Sequence, residues 1–256
     1  MARTLRILLL SALIFSTLLF GALNYQYVFK DLGLAHKLSV VEGKTLLIYF
    51  GSAGCSWCKK LENEVLNDPA VQEFLRANFV LARILGGTSK TVFMGKEYTN
   101  NELFKLFSVK GTPTFVFMKG ENIVYTEVGY SPVNEYLKIL KTRIRIIDEG
   151  FDENSEDLAK DLDKYCGKPM IITISKEDAE FVLENDKNAK LIEKLPEDKK
   201  EIDTNTTYVS ASEEIAKELN SIGVIRVLLI QDKKRVICNT TSGSAIPSFV
   251  YFFGRI

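Results

Sequence analysis

The run Thr45–Phe50 (TLLIYF) is short, apolar and rich in β-forming residues, which fits a buried strand. Gly51-Ser-Ala-Gly54 breaks it. Cys55 then opens the stretch CSWCKKLENEVL, in which Trp57, Leu61 and Val65 stand four apart and share one helix face. The chain therefore passes from a strand through a tight turn into a helix that begins with Cys55-Ser-Trp-Cys58. Two cysteines at that spacing can be a redox dithiol, half of a metal site, or a local staple.

The rest of the chain narrows the choice. A structural zinc site needs four ligands, usually two such pairs or cysteine with histidine. Cys166 and Cys238 stand alone, and His36 is the one histidine, which reads as a surface residue. Covalent haem attachment requires a histidine directly after the second cysteine, where Lys59 stands. A redox dithiol fits best. A helix N-terminus offers free N–H groups and the positive end of the dipole, which favour a thiolate at Cys55, the more exposed of the two. Cys58 lies one turn inward, where it can attack a mixed disulfide formed at Cys55. Lys59 and Lys60 read as solvated helix surface.

Downstream, Asp68 and Pro69 are the N-cap and first residue of a second helix, and Phe79–Leu85 is a second strand. A loop over 86–98 leads to a short helix, Asn101–Phe107. Gly111-Thr-Pro-Thr114 opens a hairpin of Thr114–Met118 with Asn122–Val128, and Ser131-Pro132 begins a last helix. This order, with Cys55-Ser-Trp-Cys58 and Gly111-Thr112-Pro113-Thr114, resembles the thioredoxin fold over about residues 40–146. It is most similar to the thioredoxin-like proteins of the bacterial cell envelope. The resemblance implies a mixed central sheet flanked by helices, and a redox disulfide between Cys55 and Cys58. It also implies a cis peptide at Pro113, and a surface of Trp57, Thr112 and Pro113 for an extended substrate. Neither a metal nor an organic cofactor is implied. Two departures stand out. Gly54 replaces the usual Trp before the first cysteine, and Tyr49 replaces the buried acid of the preceding strand. Glu62, one turn beyond Cys58, is placed to substitute for that acid but reads as a surface carboxylate.

Arg3 and Arg6 precede the uncharged stretch Ile7–Leu23, which the tyrosine-containing 24–29 extends. This pattern predicts an N-terminal transmembrane signal-anchor over 1–28, with the rest of the chain in the periplasm or another extracytoplasmic space. A cleaved signal peptide is the weaker reading, because Phe20 occupies a position where a small side chain is preferred.

After a polar, acidic stretch that includes a helix to about Tyr165, a strand at 168–175 repeats the grammar of 44–51, now without cysteines. The segments beginning at Asn101 and Glu213 align without a gap until the hairpin, so that Gly111 falls on Gly223 and Pro113 on Ile225. The expectation is an α/β chain of two units. A thioredoxin-like domain spans 29–148. A second domain over 149–256 is a non-catalytic thioredoxin-like unit with a hairpin return at Arg235–Asn239; an unrelated α/β domain is the alternative. The apolar end IPSFVYFFGRI reads as its last packed element. Cys166 and Cys238 are either a disulfide or buried free thiols.

Lys plus Arg equals Asp plus Glu at 33 each, so no basic excess points to nucleic acid. The function expected is a membrane-anchored thiol–disulfide oxidoreductase. Its partners are protein thiols and disulfides, with a membrane redox protein beside it. The alternative is a disulfide isomerase or chaperone-like protein whose second domain binds clients and whose dithiol is auxiliary or structural.

Overall fold

In the computed structural model, which describes residues 27–231, strand β2 (Thr45–Gly51) is buried along its whole length. It pairs in parallel with β3 (Phe79–Leu85) and antiparallel with β6 (Thr114–Lys119). β1 (Val28–Phe29) and β7 (Asn122–Val128) complete the order β1-β3-β2-β6-β7. Successive residues point to opposite faces. Leu46, Ile48 and Phe50 join Val80, Ala82, Ile84, Val116 and Met118 on one face. Leu47 and Tyr49 join Leu81, Phe115 and Phe117 on the other. Both faces are apolar because both are covered, which is why the run shows no polar alternation.

Helix α1 (Leu32–Val41) covers the first face through Leu32, Ala35, Leu38 and Val41. On the second face lie α2 (Ser56–Leu61), with the π-helical turn Glu62–Leu66 after it, and α3 (Pro69–Asn78). α5 (Val133–Glu149) adds Tyr136, Leu140 and Ile144 there. Asp68 caps α3 by accepting from the N–H groups of Ala70 and Val71 at 2.9 and 3.2 Å, with Pro69 following as expected.

The structure departs from the sequence reading in several places. Val28 and Phe29 pair with Leu81 and Ala82, so the sheet begins inside the stretch assigned to the anchor. His36 is half-buried, with Nε2 3.0 Å from the Gly120 carbonyl oxygen and its ring edge-on to Phe93. The expected loop at 86–98 contains a hairpin, β4 (Lys90–Phe93) and β5 (Lys96–Thr99), that leads into α4 (Asn100–Leu106). Its turn sets Met94 and Gly95 at φ 51° and 76°, and a methionine there gives no turn signal. The helix expected before Tyr165 is two short 3₁₀ turns, Glu156–Ala159 and Leu162–Lys164, separated by Asp161 at φ 55°.

The second half is an α/β unit of a different design. β8 (Met170–Ile174), β9 (Ala189–Leu191), β10 (Thr207–Ser210) and β11 (Arg226–Ile230) lie in the order β8-β11-β10-β9, all parallel. α6 (Lys176–Asn185) and α7 (Glu213–Ser221) make the crossovers. The first sheet sets an antiparallel strand beside β2, whereas β11 runs parallel to β8. A helix joining two adjacent strands of one sheet, as α7 joins β10 and β11, makes them parallel. Among the described residues this unit is therefore not a second copy of the first. β11 has a neighbour on each edge; the return strand expected at Arg235–Asn239 lies outside the described residues, as do residues 1–26, Cys238 and the C-terminal apolar stretch.

The two units share one core. Leu38, Val41 and Met118 cluster with Ile172, Ile174, Val182, Val209 and Leu228. Buried polar contacts cross the same boundary. Lys44 Nζ lies 2.8 Å from Glu42, 3.8 Å from Asp186 and 3.0 Å from Thr207 Oγ1. Asp148 meets Lys119 at 2.6 Å and Arg226 at 3.4 Å. The second unit thus packs against α1 and against the end of the first sheet where β2 begins and β6 ends. No helix of the described residues is long and apolar enough to cross a membrane.

Candidate active site

β2 ends at Gly51, and the turn that follows delivers Cys55 to the start of α2. The Cys55 N–H donates to the Ser52 carbonyl at 3.2 Å. Cys55 itself is the N-cap, one residue before the first helical position. Its Sγ accepts the Cys58 N–H at 3.0 Å, filling the role that a Ser or Asp oxygen fills in other caps. The two cysteines are joined in a disulfide. Cys58 is 3% exposed and packs among Tyr49, Leu61 and Phe115, while Cys55 is half-buried at the rim.

The second wall comes from the loop before β6. The Thr112–Pro113 peptide is cis, and the Thr112 carbonyl oxygen lies 3.3 Å from Cys55 Sγ. Thr112 Oγ1 and Ser52 Oγ are hydrogen-bonded at 3.1 Å, which ties this loop to the turn below the dithiol. Thr114 Oγ1 donates to the Gly111 carbonyl at 2.8 Å, and the Gly129 N–H donates to the Pro113 carbonyl at 2.9 Å. Segments 52–58 and 111–114 thus flank one sulfur, and the structure brings Cys55, Cys58, Thr112 and Pro113 together.

By spacing Trp57 shares a helix face with Leu61 and Val65, while the thioredoxin resemblance places it on the substrate surface. Leu61 and Val65 are buried, but Trp57 is 55% exposed. Its neighbour is Tyr130, with ring centres 5.6 Å apart. Tyr130 is a site residue that the sequence reading missed; its one signal is its place directly after Gly129 at the end of the hairpin.

The missing buried acid has a counterpart in Glu62. Its side chain is 15% exposed, accepts from Arg83 at 2.6 Å, and accepts the Tyr49 hydroxyl at 3.0 Å. It is not a surface carboxylate. Tyr49 is fully buried and stacks on Phe115. Arg83 also escaped the sequence reading, although it is the one charged residue in the strand FVLARIL. Of the other cysteines, Cys166 is exposed and unpaired, so the reading of it as a buried thiol does not hold. Among the described residues no group of three or more His, Cys, Asp or Glu side chains is placed to hold a metal ion.

Such a site can pass two electrons as a pair of sulfur exchanges. In the open form a Cys55 thiolate would receive the Cys58 N–H and stand at the surface, with Cys58 waiting beneath it. An attack by Cys55 on an outside disulfide breaks that bond and expels one thiolate. An attack by Cys58 on the new mixed disulfide expels the second and restores the bond seen here.

Residues 33–144 match a family model described as a thioredoxin-like domain. The chain is 30% identical over 110 residues to the thiol:disulfide interchange protein DsbD of Actinobacillus pleuropneumoniae serotype 5b (strain L20). That match takes in 42% of this chain and 18% of that much longer protein. Among solved structures it is similar to a thioredoxin from Thermus thermophilus, at 29% identity and TM-score 0.41, covering 50% of this chain and 95% of that one. A thioredoxin-fold protein from Helicobacter pylori is 23% identical with TM-score 0.38, covering 52% and 92%.

Proposed function

With residues 33–144 forming a thioredoxin-like domain, we propose that the chain is a thiol–disulfide oxidoreductase that exchanges disulfides with protein partners. One juxtaposition carries the proposal: Cys55 Sγ at the rim, 3.0 Å from the Cys58 N–H and 3.3 Å from the Thr112 carbonyl. A stapling disulfide needs neither an accessible sulfur nor a backbone acceptor beside it. Cys55 is the attacking and accepting sulfur, and Cys58 resolves. Thr112 and Pro113 hold the partner's extended backbone against the dithiol, and Trp57 borders it. Electrons run either way, according to the potential of the partner.

In full-length protein, Cys58→Ser leaves Cys55 without its resolving partner. Mixed disulfides through Cys55 accumulate and are released by dithiothreitol. A Cys58→Ser protein that traps nothing, while reduced wild type loses stability, makes the pair a staple and ends the proposal.

The site works outside the cytoplasm, on a chain held by its N-terminal segment. Arg3 and Arg6 ahead of the uncharged stretch Ile7–Leu23 support an anchor with that orientation. The similarity to DsbD, a thiol:disulfide interchange protein, supports the exchange chemistry. An anchored protein stays with the membrane fraction through alkaline carbonate washing. Recovery of the full-length chain in the wash overturns the anchor and leaves the chemistry standing.

A further inference from the structure

We propose that Trp57 and Tyr130 form a ledge that receives the residue flanking the partner's reacting cysteine, and that this residue is bulky and apolar. The inference rests on the exchange chemistry proposed above and adds the class of segment the site takes. Trp57 stands between the two cysteines with more than half its surface in water, while Leu61, one turn on, is fully buried. The Tyr130 ring lies 5.6 Å away and is tilted 35° to it. Lys60 Nζ sits over both rings, 4.7 Å from the centre of Tyr130 and 5.5 Å from that of Trp57.

Three features make this a recognition surface. It is continuous with the reacting sulfur: Gly129, bonded to the Pro113 carbonyl, precedes Tyr130, and the Thr112 carbonyl touches Cys55. It is also held in shape. The Tyr130 hydroxyl donates to Glu64 at 2.7 Å, and Glu64 faces Lys60 at 3.9 Å, so the ring is fixed from backbone and tip. Rings already ordered lose little freedom when a partner covers them. Finally, the charges beside it are offset, since Glu64 faces Lys60. An apolar side chain laid on the rings removes apolar surface from water, whereas a charged one laid there loses hydration. Lys60 and Glu64 act here as positioning residues.

The test uses the oxidised full-length protein and two blocked cysteine peptides, one with Leu on both sides of the cysteine and one with Ser. The rate at which each opens the Cys55–Cys58 bond is divided by the same variant's rate with dithiothreitol. Wild type should favour the Leu peptide about tenfold, the factor that about 1.4 kcal/mol of apolar burial produces. Trp57→Ala and Tyr130→Ala should each bring that preference to within about twofold, and Trp57 is exposed enough for its truncation to spare the core. Glu64→Ala should weaken it, and Glu64→Gln, which keeps an acceptor for the Tyr130 hydroxyl, should restore it. A wild type without preference, or a preference that survives both aromatic truncations, overturns the ledge. An unchanged preference in Glu64→Ala removes the positioning role. Dithiothreitol failing to open the bond in wild type would instead strike at the exchange chemistry.

Discussion

Glu62 shows how much a single carboxylate can hold at this site. Arg83 and Tyr49 both direct polar hydrogens at its Oε1, in a setting with little water. Removing one partner from such a group leaves the others unsatisfied, which costs about 1–3 kcal/mol. Glu62→Ala should therefore destabilise the protein by that amount in urea unfolding, and Glu62→Gln by less, because an amide oxygen still accepts from Tyr49. A loss under about 0.5 kcal/mol for the alanine variant would place Glu62 among ordinary surface residues. This pairing was half-legible in the sequence. The spacing from Cys58 identified Glu62, but its partners come from β2 and β3, and Arg83 is 21 positions away. Cys55 and Cys58 were legible from residue type and local spacing, whereas Thr112 and Pro113 were legible only through the thioredoxin resemblance. Tyr130 was not, because its role depends on a hairpin returning it to Trp57. Spacing alone leaves the exposure of Trp57 open for a related reason. Helical period gives the face a residue occupies, and whether anything covers that face is a tertiary matter.

Elements with strong local punctuation were read correctly. Asp68-Pro69 fixes the start of α3 because the Asp68 carboxylate accepts two orphan N–H groups and proline needs none. Asp68→Ala should lower stability by about 1 kcal/mol and Asp68→Asn by less, measured as a shift in the urea midpoint. A neutral alanine variant would mean that tertiary packing alone holds the helix start. α4 begins with a Thr99–Glu102 capping box, at the start of the helix read from Asn101. The adjoining β4–β5 hairpin was lost because Met94 and Gly95 are not a recognised turn pair and its strands are four residues each. The second sheet was misread for a larger reason. Gapless alignment of the halves preserved element order, and element order does not determine strand direction. β6 and β11 both follow a short helix and a glycine, yet β6 runs antiparallel to β2 and β11 parallel to β8.

At the scale of the whole molecule, the two units meet through a continuous apolar cluster with charged groups sealed into it. Glu42 lies fully buried between them, 2.8 Å from Lys44 on its own unit and facing Asp186 of the second, while Thr207 accepts from the same lysine. Burial outweighs the attraction of Lys44 and, with Asp186 adding to it, pushes the Glu42 carboxyl from its ordinary 4.5 up to about 8. The direction fixes the sign of a pH dependence. Between those two values the folded chain holds a proton that the unfolded chain has released, so unfolding releases it. The contribution to stability is complete below about pH 4.5, declines as pH rises, and is exhausted above about pH 8. The slope is at most about 1.4 kcal/mol per pH unit. Glu42→Gln keeps the shape and cannot ionise, so its stability should lack this slope. Urea midpoints of wild type and Glu42→Gln, taken from pH 5 to 8, should diverge steadily in favour of the variant. Parallel curves would mean that Glu42 is ionised throughout and paired with Lys44 as a plain buried salt bridge. Because the apolar cluster runs through both units, the divergence should appear in a single unfolding transition, with signals from the dithiol domain and from the parallel sheet moving together. Two separated transitions would instead show that the second unit melts off while the first sheet stands.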